Sequence, residues 1–193
     1  MIDYISGTLA EATPTTAVVD VNGIGYEISI TLIDYSAIQA ERQVKLFIHE
    51  AIREDAHLLY GFTTKRGREM FRLLIGVSGV GPNTARVILS AVTPDDLAAT
   101  IASGNDSVLK AVKGIGAKTA QRIIVDLKDK IKGDAATLLT QSLPGSETFE
   151  EALAALSVLG FTRLQSEKAL RKILKSEPTV SVEEAIRKAL KIL

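Results

Sequence analysis

Two glycine-centred segments carry the clearest chemistry in this chain. Val77-Ser78-Gly79-Val80-Gly81-Pro82-Asn83-Thr84-Ala85 repeats 35 positions later as Val112-Lys113-Gly114-Ile115-Gly116-Ala117-Lys118-Thr119-Ala120. Both keep Gly-(Val/Ile)-Gly, two variable positions, Thr-Ala, and then an apolar stretch with helical spacing. Glycine adopts backbone conformations closed to other residues and has no Cβ to hold a ligand off the main chain. Val80 and Ile115 can plug each hairpin into a core. The amides of the hairpin and of the next helix's first turn then point outward, where the helix dipole also favours an anion. Lys118 and Arg122, one helical turn apart, are expected to add charge beside the second hairpin, and Arg86 beside the first. The expected contact set is Gly79, Val80, Gly81, Asn83, Thr84 and Arg86 in the first copy. In the second it is Gly114, Ile115, Gly116, Lys118, Thr119 and Arg122. Such groups hold phosphates and read no base edge, so they predict affinity for a nucleic-acid backbone without sequence specificity. The plainer alternative is a pair of ordinary helix connections with C-cap glycines. Two copies sharing Gly-x-Gly and Thr-Ala argue against it.

The flanking sequence predicts how these hairpins are held. Residues 1–62 read as β, with short β-branched or aromatic runs at Ile2 to Leu9, Ala17 to Val21, Tyr26 to Ile30, Val44 to His49 and Leu58 to Phe62. Asn22-Gly23 suits a type I′ hairpin turn. Five short strands in so short a segment predict a small closed barrel, which hides its sheet edges. From Thr64 the period turns helical: Met70, Phe71, Leu73, Leu74 and Ile75 form an apolar face, with Lys65, Arg66, Arg68 and Arg72 at its polar end. Thr93-Pro94-Asp95-Asp96 is a helix start. Residues 63–132 form an all-α pair of hairpins, and residues 133–147 read as a flexible linker. Residues 148–193 predict a three-helix bundle with capping patterns Thr148…Glu151, Thr162…Gln165 and Ser181…Glu184. The expected fold class is therefore multi-domain α+β.

Composition narrows the function classes. An apolar fraction of 46% is ample for packed cores, while 5% aromatics and no Trp leave Leu, Ile, Val and Ala to fill them. No Cys is present, which excludes disulfides, thiolate metal sites and a cysteine nucleophile, and fits a reducing cytoplasm. The start Met1-Ile2-Asp3-Tyr4 lacks the features of a signal peptide, and no apolar run is long enough to span a bilayer. Net charge is zero, yet residues 63–132 carry 12 Lys/Arg against 6 Asp/Glu, while residues 1–62 carry 3 against 9. A basic middle beside an acidic flank suggests a local polyanion site, although solvated helix faces would give the same counts.

Catalytic patterns are missing from the sequence. Gly116-Ala117-Lys118-Thr119 approaches a phosphate-binding loop but has Ala where glycine is needed, and it belongs to the hairpin repeat. His49 and His57 have no metal-ligand or triad companions and read as strand-end side chains. No cofactor is expected. An enzyme of the helix-hairpin-helix glycosylase class would want a catalytic Asp beyond the second hairpin, and Asp134 lies at about that separation. A generic non-specific DNA-binding scaffold remains a third reading.

The hairpin segments resemble the helix-hairpin-helix motif of DNA-binding proteins. From residue 1 to 193 the chain resembles the RuvA family of bacterial Holliday-junction-binding proteins. The anchors are Asn22-Gly23-Ile24-Gly25-Tyr26, the run Arg53-Glu54-Asp55-Ala56-His57-Leu58-Leu59-Tyr60-Gly61-Phe62, and both hairpins. The resemblance implies an OB-type barrel, tandem hairpins and a C-terminal three-helix, UBA-like domain. It implies that Glu54 and Asp55, otherwise a polar turn, form an acidic pin that projects into the junction and repels phosphates. It further implies four-way junction DNA as ligand, a homotetramer or octamer, and a RuvB-type hexameric ATPase docked by Leu156, Leu159, Phe161 and Leu190. A RuvC-type resolvase would join the same complex. On sequence spacing alone Leu156 and Leu159 read as core, and Phe161, just after Gly160, as part-exposed. Asn83 and Ala117 depart from the family, where lysine is often found at both positions.

Overall fold

The structure, a computed structural model, describes residues 1–139, 146–177 and 180–193. Strands β1 (Tyr4–Ala12), β2 (Thr16–Val21), β3 (Ile24–Ser29), β4 (Gln43–Ile52) and β5 (His57–Phe62) close into a barrel in the order β1-β2-β3-β5-β4. All pairs are antiparallel except β3 with β5, which meet in parallel at Ser29 and Tyr60. The β2–β3 turn is the expected one, with Asn22 at φ 53° and Gly23 at φ 88°. Asp20 reinforces it by accepting the Gly23 N–H at 3.0 Å. Inward positions of the strands bury Ile5, Val19, Ile28, Leu46 and Ile48, so the apolar runs read from the sequence supply the barrel's core.

The sequence reading missed one element inside this barrel. Helix α1 (Leu32–Ile38) follows β3, too short for periodicity to reveal but signalled by its cap. Thr31 accepts the Asp34 N–H at 3.0 Å, and its hydroxyl donates to the Asp34 carboxylate at 2.6 Å. Asp34 is itself buried and also accepts from the Thr63 N–H and hydroxyl at 2.8 and 2.7 Å, tying α1 to the chain entering the helical half. Asp34→Ala strands the Thr63 amide and Thr31 hydroxyl away from water, so we expect a loss of about 1–3 kcal/mol. Urea unfolding of the two proteins checks this, and equal midpoints would reject it.

Helices α2 (Lys65–Ile75), α3 (Pro82–Ala91), α4 (Pro94–Ser103), α5 (Ser107–Lys110) and α6 (Ala117–Leu139) follow. Their core contains Phe71, Leu74, Ile88, Leu97, Ile101, Leu109, Ile123 and Leu127, together with Tyr60 and Phe62 from β5. Phe71 lies 5.0 Å from Phe62 and 5.1 Å from Tyr60, centroid to centroid. Packing thus runs across residue 62, and Met1–Ile131 is one compact unit. The barrel keeps its own cluster around Ile28, Leu46 and Ile48, separate from that of the helices. Arginines reinforce the junction. Buried Arg68 on α2 donates to the Asp3 carbonyl at 2.8 Å and pairs with its carboxylate, which lies below the usual carboxylate range chiefly because of that bond. Arg72 reaches the Ile48 carbonyl at 3.4 Å. The polar end expected on α2 is therefore partly internal.

The second unit contains α7 (Ser146–Val158), α8 (Arg163–Ser176) and α9 (Val182–Ala189), packed around Ala152, Leu153, Leu156, Leu170 and Ala185. Ser181 caps α9 as expected, accepting the Glu184 N–H at 3.3 Å. Thr162 precedes α8, but its hydroxyl contacts the Gln165 side chain at 2.5 Å and no backbone amide. Helix α7 starts at Ser146, so Thr148, expected as its cap, lies within the helix. The expected linker is also shorter. Residues 133–139 continue α6, because extending an existing helix through Ala135, Ala136, Leu138 and Leu139 carries no nucleation cost. Residues 140–145 of that linker, and Pro178, lie outside the described residues. Among the described residues no helix is long and apolar enough to cross a membrane.

Candidate nucleic-acid interface

The sequence repeat is reproduced bond for bond. Val80 donates its N–H to the Val77 carbonyl at 3.0 Å, and Ile115 donates to Val112 at 3.0 Å. Ala85 closes the first turn of α3 on the Gly81 carbonyl at 2.9 Å, and Ala120 closes that of α6 on Gly116 at 3.0 Å. Val77, Val80, Val112 and Ile115 are buried, so each hairpin is plugged into one shared core as expected. Val80 and Ile115 therefore support the loops from below and offer only their main chain outward.

The two glycines of each pair do different jobs. Gly79 (φ 88°) and Gly114 (φ 90°) occupy the left-handed region, where a side chain is strained. Gly81 caps α3 in extended conformation, at φ −84° and ψ 170°, with no side-chain bond to the cap. A Cβ at Gly81 or Gly116 would meet nothing within 4 Å of protein. Neither position needs glycine to fold. All four glycines are exposed, and their N–H groups donate to no acceptor among the described residues. Orphan donors at a helix N-terminus, unobstructed by any Cβ, suit an anionic oxygen. Asn83 and Lys118 are exposed beside them, and Thr84 and Thr119 are half-buried.

The cations are not distributed as the spacing suggested. Arg86 does not stand free beside the first hairpin: its Nη1 donates to the Thr15 carbonyl at 3.1 Å, anchoring α3 to the barrel. Arg122 does not serve the second hairpin either. Its Nη1 reaches across to Ser78 in the first, 3.1 Å from the carbonyl and 3.3 Å from the hydroxyl. Helical spacing along α6 could not reveal this, because the contact joins residues 44 apart. Lys113, exposed at the repeat position of Ser78, is a second-hairpin cation that the sequence reading passed over. Its place immediately before Gly114 was the available signal.

Glu54 and Asp55 occupy the exposed tip of the β4–β5 hairpin, closed by an Arg53 N–H to Ala56 carbonyl bond of 2.7 Å. Exposed Ile52 and Leu58 flank them. Just behind this tip His57 Nε2 lies 2.8 Å from Glu50, and the Ile2 N–H bonds the same carboxylate at 3.3 Å. His57 first, and that amide with it, hold the Glu50 carboxyl below the usual range. His49 packs against Phe71 at 5.3 Å; burial, then Arg72 and Arg68, push its pKa down. Asp134 falls in α6, and its side chain lies outside the described residues.

In the second unit the structure separates the four residues expected to dock a partner. Leu156 is fully buried, on one face with Ala152 and Leu153, and cannot meet a partner without unfolding. Leu159 is 58% exposed: α7 ends at Val158, and Gly160 at φ 94° turns the chain away from the core face. Phe161 is half-buried against the core, its N–H bonded to the Leu156 carbonyl at 3.1 Å, and Leu190 is exposed. Val158 and Leu164, missed in the sequence, are 87% and 80% exposed on either side of the same turn.

A closed OB-type barrel in one body with tandem helix-hairpin-helix motifs, and a second unit of three helices, define a helix-hairpin-helix protein of three-part architecture. Family models agree along the chain. Residues 1–61 match the RuvA N-terminal domain, residues 71–129 a SAM-like helix-hairpin-helix tandem, and residues 147–193 the RuvA C-terminal domain. The chain is 54% identical to a protein of Bacteroides thetaiotaomicron and 52% identical to one of Parabacteroides distasonis, over 100% of each chain. Both are named Holliday junction branch migration complex subunit RuvA. The chain belongs to the RuvA family.

Proposed function

We propose that this chain binds four-way DNA junctions by their sugar-phosphate backbone, as the non-catalytic subunit of a branch migration complex. The observation that carries the reading is the matched pair of exposed amide clusters at Gly79/Gly81 and Gly114/Gly116, whose N–H groups have no acceptor among the described residues. Main-chain donors, with Lys113 and Lys118 beside those of the second hairpin, grip phosphates of any sequence. Glu54 and Asp55, at an exposed tip, supply repulsion where strands should part, which favours a branched DNA over a uniform duplex. Four copies about a four-fold axis would give each arm an equivalent subunit. Relatives named as branch migration complex subunits support the assignment. In this reading a RuvB-type ATPase supplies the ATP hydrolysis, a RuvC-type resolvase joins the complex, and the work is done on cytoplasmic DNA.

Competition between a four-way junction and linear duplex of equal length, with complex stoichiometry measured, tests the reading. Preference for the junction with four or eight chains per complex supports it; equal affinity rejects junction recognition. The exposed apolar turn of Val158, Leu159 and Leu164 is the surface we assign to the ATPase. Leu164→Ser is expected to leave folding within about 0.5 kcal/mol, as at most surface sites, and to weaken association with the ATPase. Leu156→Ala instead removes buried volume and should cost the second unit about 2–5 kcal/mol. Hydrogen exchange over residues 148–193 and ATPase co-sedimentation separate the two effects. Normal association of Leu164→Ser would move the docking surface elsewhere.

A further inference from the structure

Arg122 lies in the second repeat but touches the first. The first hairpin's own loop carries Ser78 and Asn83 where the second carries Lys113 and Lys118, so it brings no cation of its own. The neighbouring Arg86 is engaged with the Thr15 carbonyl. Arg122 Nη1 meets both the carbonyl and the hydroxyl of Ser78, and a Cβ on Gly79 would lie 3.9 Å from that same nitrogen. The guanidinium therefore sits at the edge of the first amide cluster, with further N–H groups to offer an arriving oxygen. The bond is one-sided. The repeat partners of Arg122 and Ser78 are Val87 and Lys113, and valine cannot hydrogen-bond.

We infer that Arg122 is a positioning residue for the first hairpin: it clamps the Ser78–Gly79 loop and supplies there the positive charge that Asn83 does not. The two hairpins are thus coupled through one side chain, with the second holding the first in register. Lysine would keep the charge but not the clamp, since a single ammonium on a flexible stem lacks the fixed fork of a guanidinium.

This inference rests on the reading that both hairpins grip DNA, and a double-mutant cycle tests each separately. Affinity of the full chain for a labelled four-way junction is measured at fixed salt for wild type, Arg122→Lys, Gly81→Val, Gly116→Val and the two double variants. Arg122→Lys is expected to weaken binding about tenfold or more, the scale of a charge-assisted hydrogen bond. In the Gly81→Val background, where the first hairpin is already blocked, the same change should cost about twofold or less; in Gly116→Val it should keep its full factor. Without DNA, the Val80 amide should exchange faster in Arg122→Lys while the Ile115 amide does not change. Coupling to Gly116 in place of Gly81, equal factors in both backgrounds, or wild-type binding and exchange by Arg122→Lys each overturn the inference. If neither glycine variant weakens binding, the hairpin reading itself has failed.

Discussion

Gly116→Val is expected to lower affinity for junction and duplex DNA alike by about a hundredfold, the loss of two hydrogen bonds to a charged acceptor at roughly 1.5 kcal/mol each. Gly116 has open space on its Cβ side and no left-handed φ, so valine neither clashes nor strains the loop. What it does obstruct is the approach of a phosphate to the free amides at the start of α6. Gly81→Val should act in the same way at α3, where the cap is already in extended conformation. Gly114→Val is a poorer test, because φ 90° adds about 1–2 kcal/mol of backbone strain to whatever it does to DNA. Titration of folded Gly116→Val against both DNA forms checks the expectation. Unchanged affinity, with a wild-type unfolding midpoint, would mean that the main chain of the second hairpin does not bind DNA.

The glycine pairs were legible in sequence because a repeat of 35 residues samples the same backbone solution twice, so Val77 predicted what Val112 would do. The division of labour within each pair was not. Residue type alone cannot distinguish Gly79, which needs its positive φ, from Gly81, which does not. Barrel strands were legible for a similar local reason: β-branched runs such as that around Val19 and the Asn22-Gly23 turn carry their own signal, and the barrel buries Val19, Ile28 and Leu46. Helix α1 was lost because seven residues give too few turns for periodicity, although Thr31 and Asp34 mark its start. Arginine roles were the least readable. Arg68, Arg72, Arg86 and Arg122 each find a carbonyl far away in sequence, and a long side chain's partner is set by tertiary packing, not by its neighbours. Arg68, Arg72 and Arg86 are thereby committed to the barrel, so the basic excess of residues 63–132 overstates the side chains free to reach DNA. Leu159 illustrates the same limit at a turn, where Gly160 overrides the helical face that spacing implied.

Replacing both acids of the β4–β5 tip, Glu54→Gln with Asp55→Asn, should not weaken junction binding and should cut the preference for junction over duplex by about tenfold. The argument is one of sign. Both side chains are exposed on a hairpin braced just behind its tip by the His57–Glu50 bond, so their charges stand out in solvent. Brought against a polyanion, such charges raise the energy of any complex in which phosphates crowd the tip. A continuous duplex cannot relieve that crowding, whereas a branched one can open its strands around the tip. Removing the charges lowers the energy of the duplex complex more than that of the junction complex, so affinity rises and discrimination falls. Screening provides the control: near 1 M salt the Debye length is about 3 Å, and the difference between variant and wild type should shrink. Measured affinities for both DNA forms at two salt concentrations decide the matter. A large loss of junction affinity in the variant would show that these carboxylates attract the complex together, and that repulsion is the wrong physical account of the tip.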